Sequence, residues 1–183
     1  HGDTIPLDFP EQLDPDGPIA INLSHYLAPM GPILLENLKR YPQLTYFGQD
    51  INTLRLIANG TTAPGAAAKP DLPLRADHPA MAPGRSVFPL NMPTWMKALS
   101  ERQMSFGSRI HGNIVALLSG TPAIVLAHDS RTLELARYHE IPHFLISDLE
   151  PSEATAEALY AEADFTAFTQ GHAARFQHYV DFL

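Results

Sequence analysis

From residue 86 onward the chain alternates short apolar runs with helical periods of about ten residues. "SVFPL" predicts a strand, "MPTWMKALSER" a helix, "QMSFGS" a strand and "RIHGNIVALLSG" a helix ended by Gly120. "PAIVLAH" then predicts a strand, "SRTLELARYHE" a helix and "PHFLIS" a strand. "PSEATAEALYAEA" and "DFTAFTQGHAARFQHYVDF" follow as helices. Nearly continuous apolar strands separated by helices belong to a parallel sheet covered on both faces, whereas hairpin sheets alternate apolar with polar residues. The first part of the chain reads the same way. "PIAINLSHYL" gives a short buried strand over residues 18–24, and "PILLENLKRY" a helix stopped by Pro42. "QLTYFGQD" is a second strand and "INTLRLIANG" a second helix, closed by Gly60. The expected fold is α/β: a Rossmann-like three-layer sandwich of about six mostly parallel strands.

Two stretches depart from this rhythm. Residues 1–17 carry Pro6, Pro10, Pro15 and several acids, which is linker chemistry. The start at His1, without Met, reads as a trimmed or processed end of something longer, so the domain proper is expected over residues 18–183. Residues 60–85 hold five prolines among small residues. They form a long internal loop, either laid over the surface or serving as a lid.

Composition narrows the function classes. With 12 Lys and Arg against 20 Asp and Glu, the net charge of −8 argues against a broad nucleic-acid-binding face. A local anion site needs only a few Arg and a helix start, so it stays open. There is no Cys, hence no thiol chemistry. No apolar run reaches the ~20 residues of a membrane span, and no signal peptide is visible, so a cytoplasmic protein without a membrane span is expected. The phosphate fingerprints G-x-G-x-x-G and the P-loop, the G-x-S-x-G elbow and His-Glu-x-x-His are missing. No metal and no cofactor are therefore expected. His139 and His143 flank Pro142 and do not share a helix face, while His172 and His178 read as surface residues and Trp95 as core.

In open parallel sheets, ligands gather where the carboxyl ends of strands meet the positive ends of helices. Three such ends are rich in polar groups. Ser24 and His25 follow the first strand; Gly107, Ser108, Arg109, His111, Gly112 and Asn113 follow "MSF"; His128, Asp129, Ser130 and Arg131 follow "PAIVLA". Arg109 can clamp an anion through two N–H groups, and His111 can give or take a proton beside it. The plain alternative is that Ser108 caps the helix while Arg109 and His111 are merely solvated. For "HDSRTLE" the alternatives are ordinary N-capping by Asp129 or Ser130, or a base at Asp129 or His128.

The segment "FGSRIHGNIVALLSGTPAIVLAHDSRTLELARYHEIP" resembles the polysaccharide pyruvyl transferase family. The residues that carry the likeness are Gly107, Ser108, Arg109, Ile110 and His111, then Gly120, Thr121 and Pro122, in order. It is close over residues 86–146 and looser over "AINLS" and the first two helices. What the resemblance implies is the C-terminal, donor-binding lobe of a two-lobed enzyme similar to the GT-B glycosyltransferases, with the N-terminal lobe missing here. Its implied chemistry is transfer of the enolpyruvyl unit of phosphoenolpyruvate onto two hydroxyls of a saccharide acceptor, giving a ketal in an exopolysaccharide or cell-wall polymer. By the same resemblance Arg109 and His111 match the element that contacts phosphoenolpyruvate and are the expected catalytic pair; the convergence of the three strand ends adds Ser108, Gly112, Asn113, Ser24, His25, Asp129, Ser130 and Arg131 as expected substrate-binding residues. Family members often carry an Arg after the first strand, where this chain has Ser24 and His25; Arg131 or Arg85 would then be the second phosphate ligand. The isolated lobe is expected to be inactive. Competing readings are a GT-B lobe for a nucleotide sugar, with Glu134 on the ribose hydroxyls, and a non-catalytic binding lobe.

Overall fold

The computed structural model describes residues 8–183. Its strands are β1 (Ile19–Asn22), β2 (Leu44–Phe47), β3 (Ser86–Val87), β4 (Met104–Gly107), β5 (Ala123–Ala127) and β6 (His143–Leu145). They form a single parallel sheet in the order β3-β2-β1-β4-β5-β6. The helices are α1 (Met30–Arg40), α2 (Ile51–Asn59), α3 (Met92–Ser100), α4 (Ile110–Leu118), α5 (Ser130–Tyr138), α6 (Ala156–Glu162) and α7 (Thr166–Phe182). This is the expected Rossmann-like three-layer α/β sandwich. No helix among the described residues is long and apolar enough to cross a membrane.

Strand residues alternate between the two faces, as a pleated backbone requires. Ile19, Ile21, Met104, Phe106, Ile124 and Leu126 meet Met30, Ile33 and Leu34 of α1 and Leu159 of α6 on one side. Ala20, Ala123, Val125 and Ala127 meet Leu99 of α3, Val115, Ala116 and Leu117 of α4, and Ala136 of α5 on the other. The strand residues of the second face are smaller, so α4 can lie close to the sheet. That closeness brings the first turn of α4 to the ends of β1 and β4.

Local chemistry sets the element ends. Asp50, Asn91, Asp129 and Thr155 cap α2, α3, α5 and α6 by accepting backbone amides with their side-chain oxygens, each worth about 1 kcal/mol. Gly60 ends α2 in the left-handed conformation at φ 73°. The structure is shorter than the sequence pattern at several points. β1 ends at Asn22, because Asn22 turns its side chain to α4. "PSEATAEALYAEA" becomes helical only at Ala156, where Thr155 supplies the cap after the turn begun at Pro151.

The two irregular stretches are packed on the domain. Of the expected linker, residues 1–7 lie outside the described residues. The remainder is tied down: Asp14 N–H donates to Gln103 Oε1 at 2.8 Å, and Tyr160 O–H donates to the Pro10 carbonyl at 2.6 Å. In the 60–85 segment, Ala63, Ala66, Leu72, Leu74 and Ala80 are buried in the α1 side of the core. The segment is a long, largely exposed loop anchored to the domain by these few buried side chains.

Candidate active site

Sheet order reverses between β1 and β4: the chain runs outward from β1 to β2 and β3, then returns to place β4 on the other side of β1. The connecting helices leave on opposite faces there, opening a crevice at the carboxyl ends of the two strands. Asn22 and Gly107, the last residues of these strands, lie side by side in the register.

A polar frame fixes the crevice. Asn22 Nδ2 donates to Asn113 Oδ1 at 2.9 Å, and Asn22 Oδ1 accepts the Arg109 amide at 2.8 Å. Asn113 Nδ2 donates to the Gly107 carbonyl at 2.9 Å, and Ser105 Oγ lies 3.4 Å from Asn113 Oδ1. Ser108 Oγ accepts the Ser24 amide at 3.0 Å. Two glycines permit this closeness. Gly107 has φ 143°, and a Cβ there would run into the Asn22 carbonyl. A Cβ on Gly112 would lie 2.5 Å from Gln49 Nε2.

The frame leaves the start of α4 bare. Arg109 is the N-cap residue, and no side chain among the described residues caps this helix. The Ser108 hydroxyl is committed to Ser24, so a simple Ser cap does not account for the segment. The first amides of a helix have no acceptor within it, which leaves Ile110, His111 and Gly112 with N–H groups free of intrahelical partners. Arg109 is half-buried and donates one guanidinium N–H to the Gln49 carbonyl at 3.3 Å, keeping the others open. His111 is exposed in the same turn, and its side chain makes no hydrogen bond among the described residues.

The neighbouring strand ends complete the rim. His25 Nδ1 stands 3.7 Å from Asp50 Oδ2. The loop after β1 carries Tyr26 across the end of β4, where its hydroxyl lies 3.5 Å from His128 Nε2. His128 Nε2 is 3.3 Å from Asp129 Oδ2. Three buried nitrogens on this rim have no hydrogen-bond partner among the described residues: His25 Nδ1, Gln49 Nε2 and His128 Nδ1. Unpaired buried polar atoms are uncommon and need an explanation.

The expected residues therefore fall into different classes. Arg109, His111 and His25 line the crevice. Ser24, Ser108, Gly112 and Asn113 are buried in the frame. Asn113 in particular is fully buried with every group engaged, so it holds the crevice rather than facing it. Asp129 caps α5 by accepting the Thr132 amide at 2.7 Å. That hydrogen bond, with the nearby His128 and Arg131, holds its carboxyl below the usual range, which weakens it as a base. Ser130 and Arg131 are exposed in the first turn of α5. Arg85 lies just before β3, at the opposite end of the sheet, donating to the Tyr41 carbonyl at 3.0 Å. It cannot serve the crevice. Asn22, Tyr26, Gln49 and Asp50 were not expected there. Asn22 had a signal, a polar residue closing "IAIN"; Gln49 and Asp50 become neighbours of Arg109 and His25 only through the sheet order.

Residues 86–130, from β3 to the start of α5, match the family model for polysaccharide pyruvyl transferase. Over this segment the chain is similar to that family. The matched segment includes Arg109, His111 and the whole of α4, so the family match and the uncapped helix start fall on the same residues. No curated protein and no solved structure matches the chain. A groove of about 860 Å³ lies elsewhere, between α4, α5 and α7, lined by Ile114, Leu117, Tyr138, Phe168, Phe176 and Phe182. Its walls are largely apolar, with His139, His172, Arg175 and His178 among them.

Proposed function

We propose that the crevice between β1 and β4 binds phosphoenolpyruvate and that the protein is a ketal pyruvyl transferase acting on a saccharide acceptor. The observation that carries this reading is the uncapped start of α4, with Arg109 at its N-cap and His111 in its first turn, inside the pyruvyl transferase segment. Free amides and a guanidinium suit a small multiply charged anion. The half-macrodipole of α4 adds to the attraction. His111 is exposed to protonate the enol carbon as positive charge develops at the adjacent carbon. A sugar oxygen then attacks that carbon, and phosphate departs into the same cluster of donors.

In this reading the acceptor belongs to an exopolysaccharide or cell-wall polymer, and a second lobe holds it. The cytoplasm is the compartment that a phosphoenolpyruvate donor implies. Calorimetric titration with phosphoenolpyruvate and, separately, with nucleotide sugars tests it. Saturable binding of phosphoenolpyruvate is expected, without comparable binding of the nucleotide sugars. The reverse preference would replace this function by glycosyl transfer.

A further inference from the structure

We propose that His25, positioned by Asp50, is the general base that takes the proton of the attacking acceptor hydroxyl. This rests on the pyruvyl transfer reading of the same crevice. The need for such a group is chemical. Protonation of the enol carbon by His111 consumes a proton, and attack by a neutral hydroxyl releases one. A single imidazole in its acid form cannot also receive the second proton at the same moment.

The placement of Asp50 is unusually firm. Its Oδ1 accepts the Asn52 and Thr53 amides at 3.0 and 3.1 Å as the cap of α2. Its Oδ2 accepts the Thr53 hydroxyl at 2.8 Å, and Thr53 Oγ1 in turn contacts the buried Tyr46 hydroxyl at 3.2 Å. The carboxylate therefore cannot swing away. Its Oδ2 faces His25 Nδ1, which is buried and has no hydrogen bond at this separation. A small approach of the ring closes the pair and fixes the tautomer with the proton on Nδ1. One third of the His25 side chain remains exposed, at the mouth of the crevice.

The charged and titratable groups around His25 come from several elements. Asp50 approaches from α2, and the Tyr26 ring packs edge-on at 5.5 Å between centroids. His128 and Asp129 lie beyond Tyr26 at the end of β5. Lys69 of the 60–85 segment donates to the Tyr26 carbonyl at 3.1 Å, and Arg109 is held on the Gln49 carbonyl. Of these, Asp50 is the one whose charge faces a ring nitrogen of His25 at close range.

The step balances. The acceptor O–H bond breaks, its oxygen bonds to the carbon bearing the phosphate, and the proton moves to Nε2 of His25. His111 meanwhile has lost its proton to the methylene carbon, which becomes a methyl group. When the second hydroxyl attacks, phosphate leaves with the electron pair of its carbon–oxygen bond and carries away that hydroxyl's proton. The proton on His25 returns to His111 through solvent before the next cycle.

The test uses the full-length protein with His25→Gln and Asp50→Asn variants. Asn is itself a good N-cap, so Asp50→Asn keeps α2 while removing the charge. With His25→Gln, ketal formation should fall by ~10²–10⁴-fold, while calorimetric affinity for phosphoenolpyruvate stays within about twofold, a difference of about 0.4 kcal/mol. With Asp50→Asn, kcat for ketal formation should fall by about tenfold or more while affinity for phosphoenolpyruvate again stays within about twofold, the split expected of a residue that orients the base. Turnover by His25→Gln within about threefold of the parent, or a kcat unchanged by Asp50→Asn, would overturn the base while leaving the donor reading intact. A parent protein that fails to bind phosphoenolpyruvate would bring down both.

Discussion

Asn22 and Asn113 stand 91 residues apart in sequence and share a buried hydrogen bond of 2.9 Å. The bond pins the first turn of α4 to the last residue of β1, across the point where the sheet changes direction. Asn22 also holds the Arg109 amide, so one side chain sets both the position and the entry angle of the helix start. The geometry of the candidate anion site is thus decided by a residue that does not face the ligand.

Replacing Asn22 by Ala should therefore cost stability and binding together. The change strips the Arg109 amide of its partner and leaves Asn113 Oδ1 with only the longer contact to Ser105. A buried group left unsatisfied costs about 1–3 kcal/mol. The midpoint of urea unfolding should fall at an unchanged slope. A midpoint equal to that of the parent would mean that water substitutes fully for the Asn22 side chain.

Arg109→Lys should weaken phosphoenolpyruvate binding although the charge is kept. The guanidinium donates to the Gln49 carbonyl and still presents further N–H groups, a division of labour that one ammonium on a flexible stem cannot reproduce. The expected loss is about 1.5–3 kcal/mol, that of one charged hydrogen bond. Equal affinity by calorimetry would make Arg109 a solvated residue.

How much of this could be read from the chain depends on the range of each interaction. The apolar runs of "PAIVLAH" and "MSF" revealed a parallel sheet, because burial on both faces leaves a local mark in composition. Arg109 and His111 stood out for the same reason: they interrupt a small-residue segment. Asn113 did not reveal its role, since an Asn in the first turns of a helix looks alike whether it meets a ligand or another strand. Its engagement with Asn22 and Gly107 exists only after β1 and β4 become neighbours. The prolines and small residues of the 60–85 segment announced a long loop, but not which of its scattered Ala and Leu residues anchor it to the core, because those contacts form only once α1 is in place.

His78, within that segment, predicts a pH dependence of stability. It is buried, its Nδ1 accepts the Ala80 amide at 3.1 Å, and its Nε2 donates to the Asp71 carbonyl at 3.1 Å. Burial is the largest cause holding the imidazole below the usual His range, so the folded state prefers the neutral ring. The unfolded chain takes up a proton near ~6.5. The stabilisation is therefore complete above that pH and is lost as pH falls below it toward the folded value. His78→Asn keeps an oxygen for the Ala80 amide and cannot titrate in this range. Between about pH 7.5 and about pH 5.5, Tm should fall more steeply for the parent than for His78→Asn. Parallel curves would assign the pH dependence to other groups.

The last prediction distinguishes a catalytic His111 from a binding one. Arg109 and His111 share the first turn of α4, but their environments differ: Arg109 is half-buried and bonded to Gln49, whereas His111 is exposed with no hydrogen bond among the described residues. A side chain that is not held in the free protein is poorly suited to supply uniform binding energy, and it is free to follow the enol carbon as the site fills. If it protonates that carbon, its contribution appears only in the transition state. His111→Gln in the full-length protein should then lower kcat and kcat/KM together, by ~10²–10⁴-fold, with donor affinity nearly unchanged. Gln keeps hydrogen-bonding capacity and cannot deliver the proton, so the variant isolates that role. Loss of donor affinity with turnover kept within a few-fold would make His111 a phosphate or carboxylate ligand, and the acid would have to come from His128, across Tyr26 on the far side of β4.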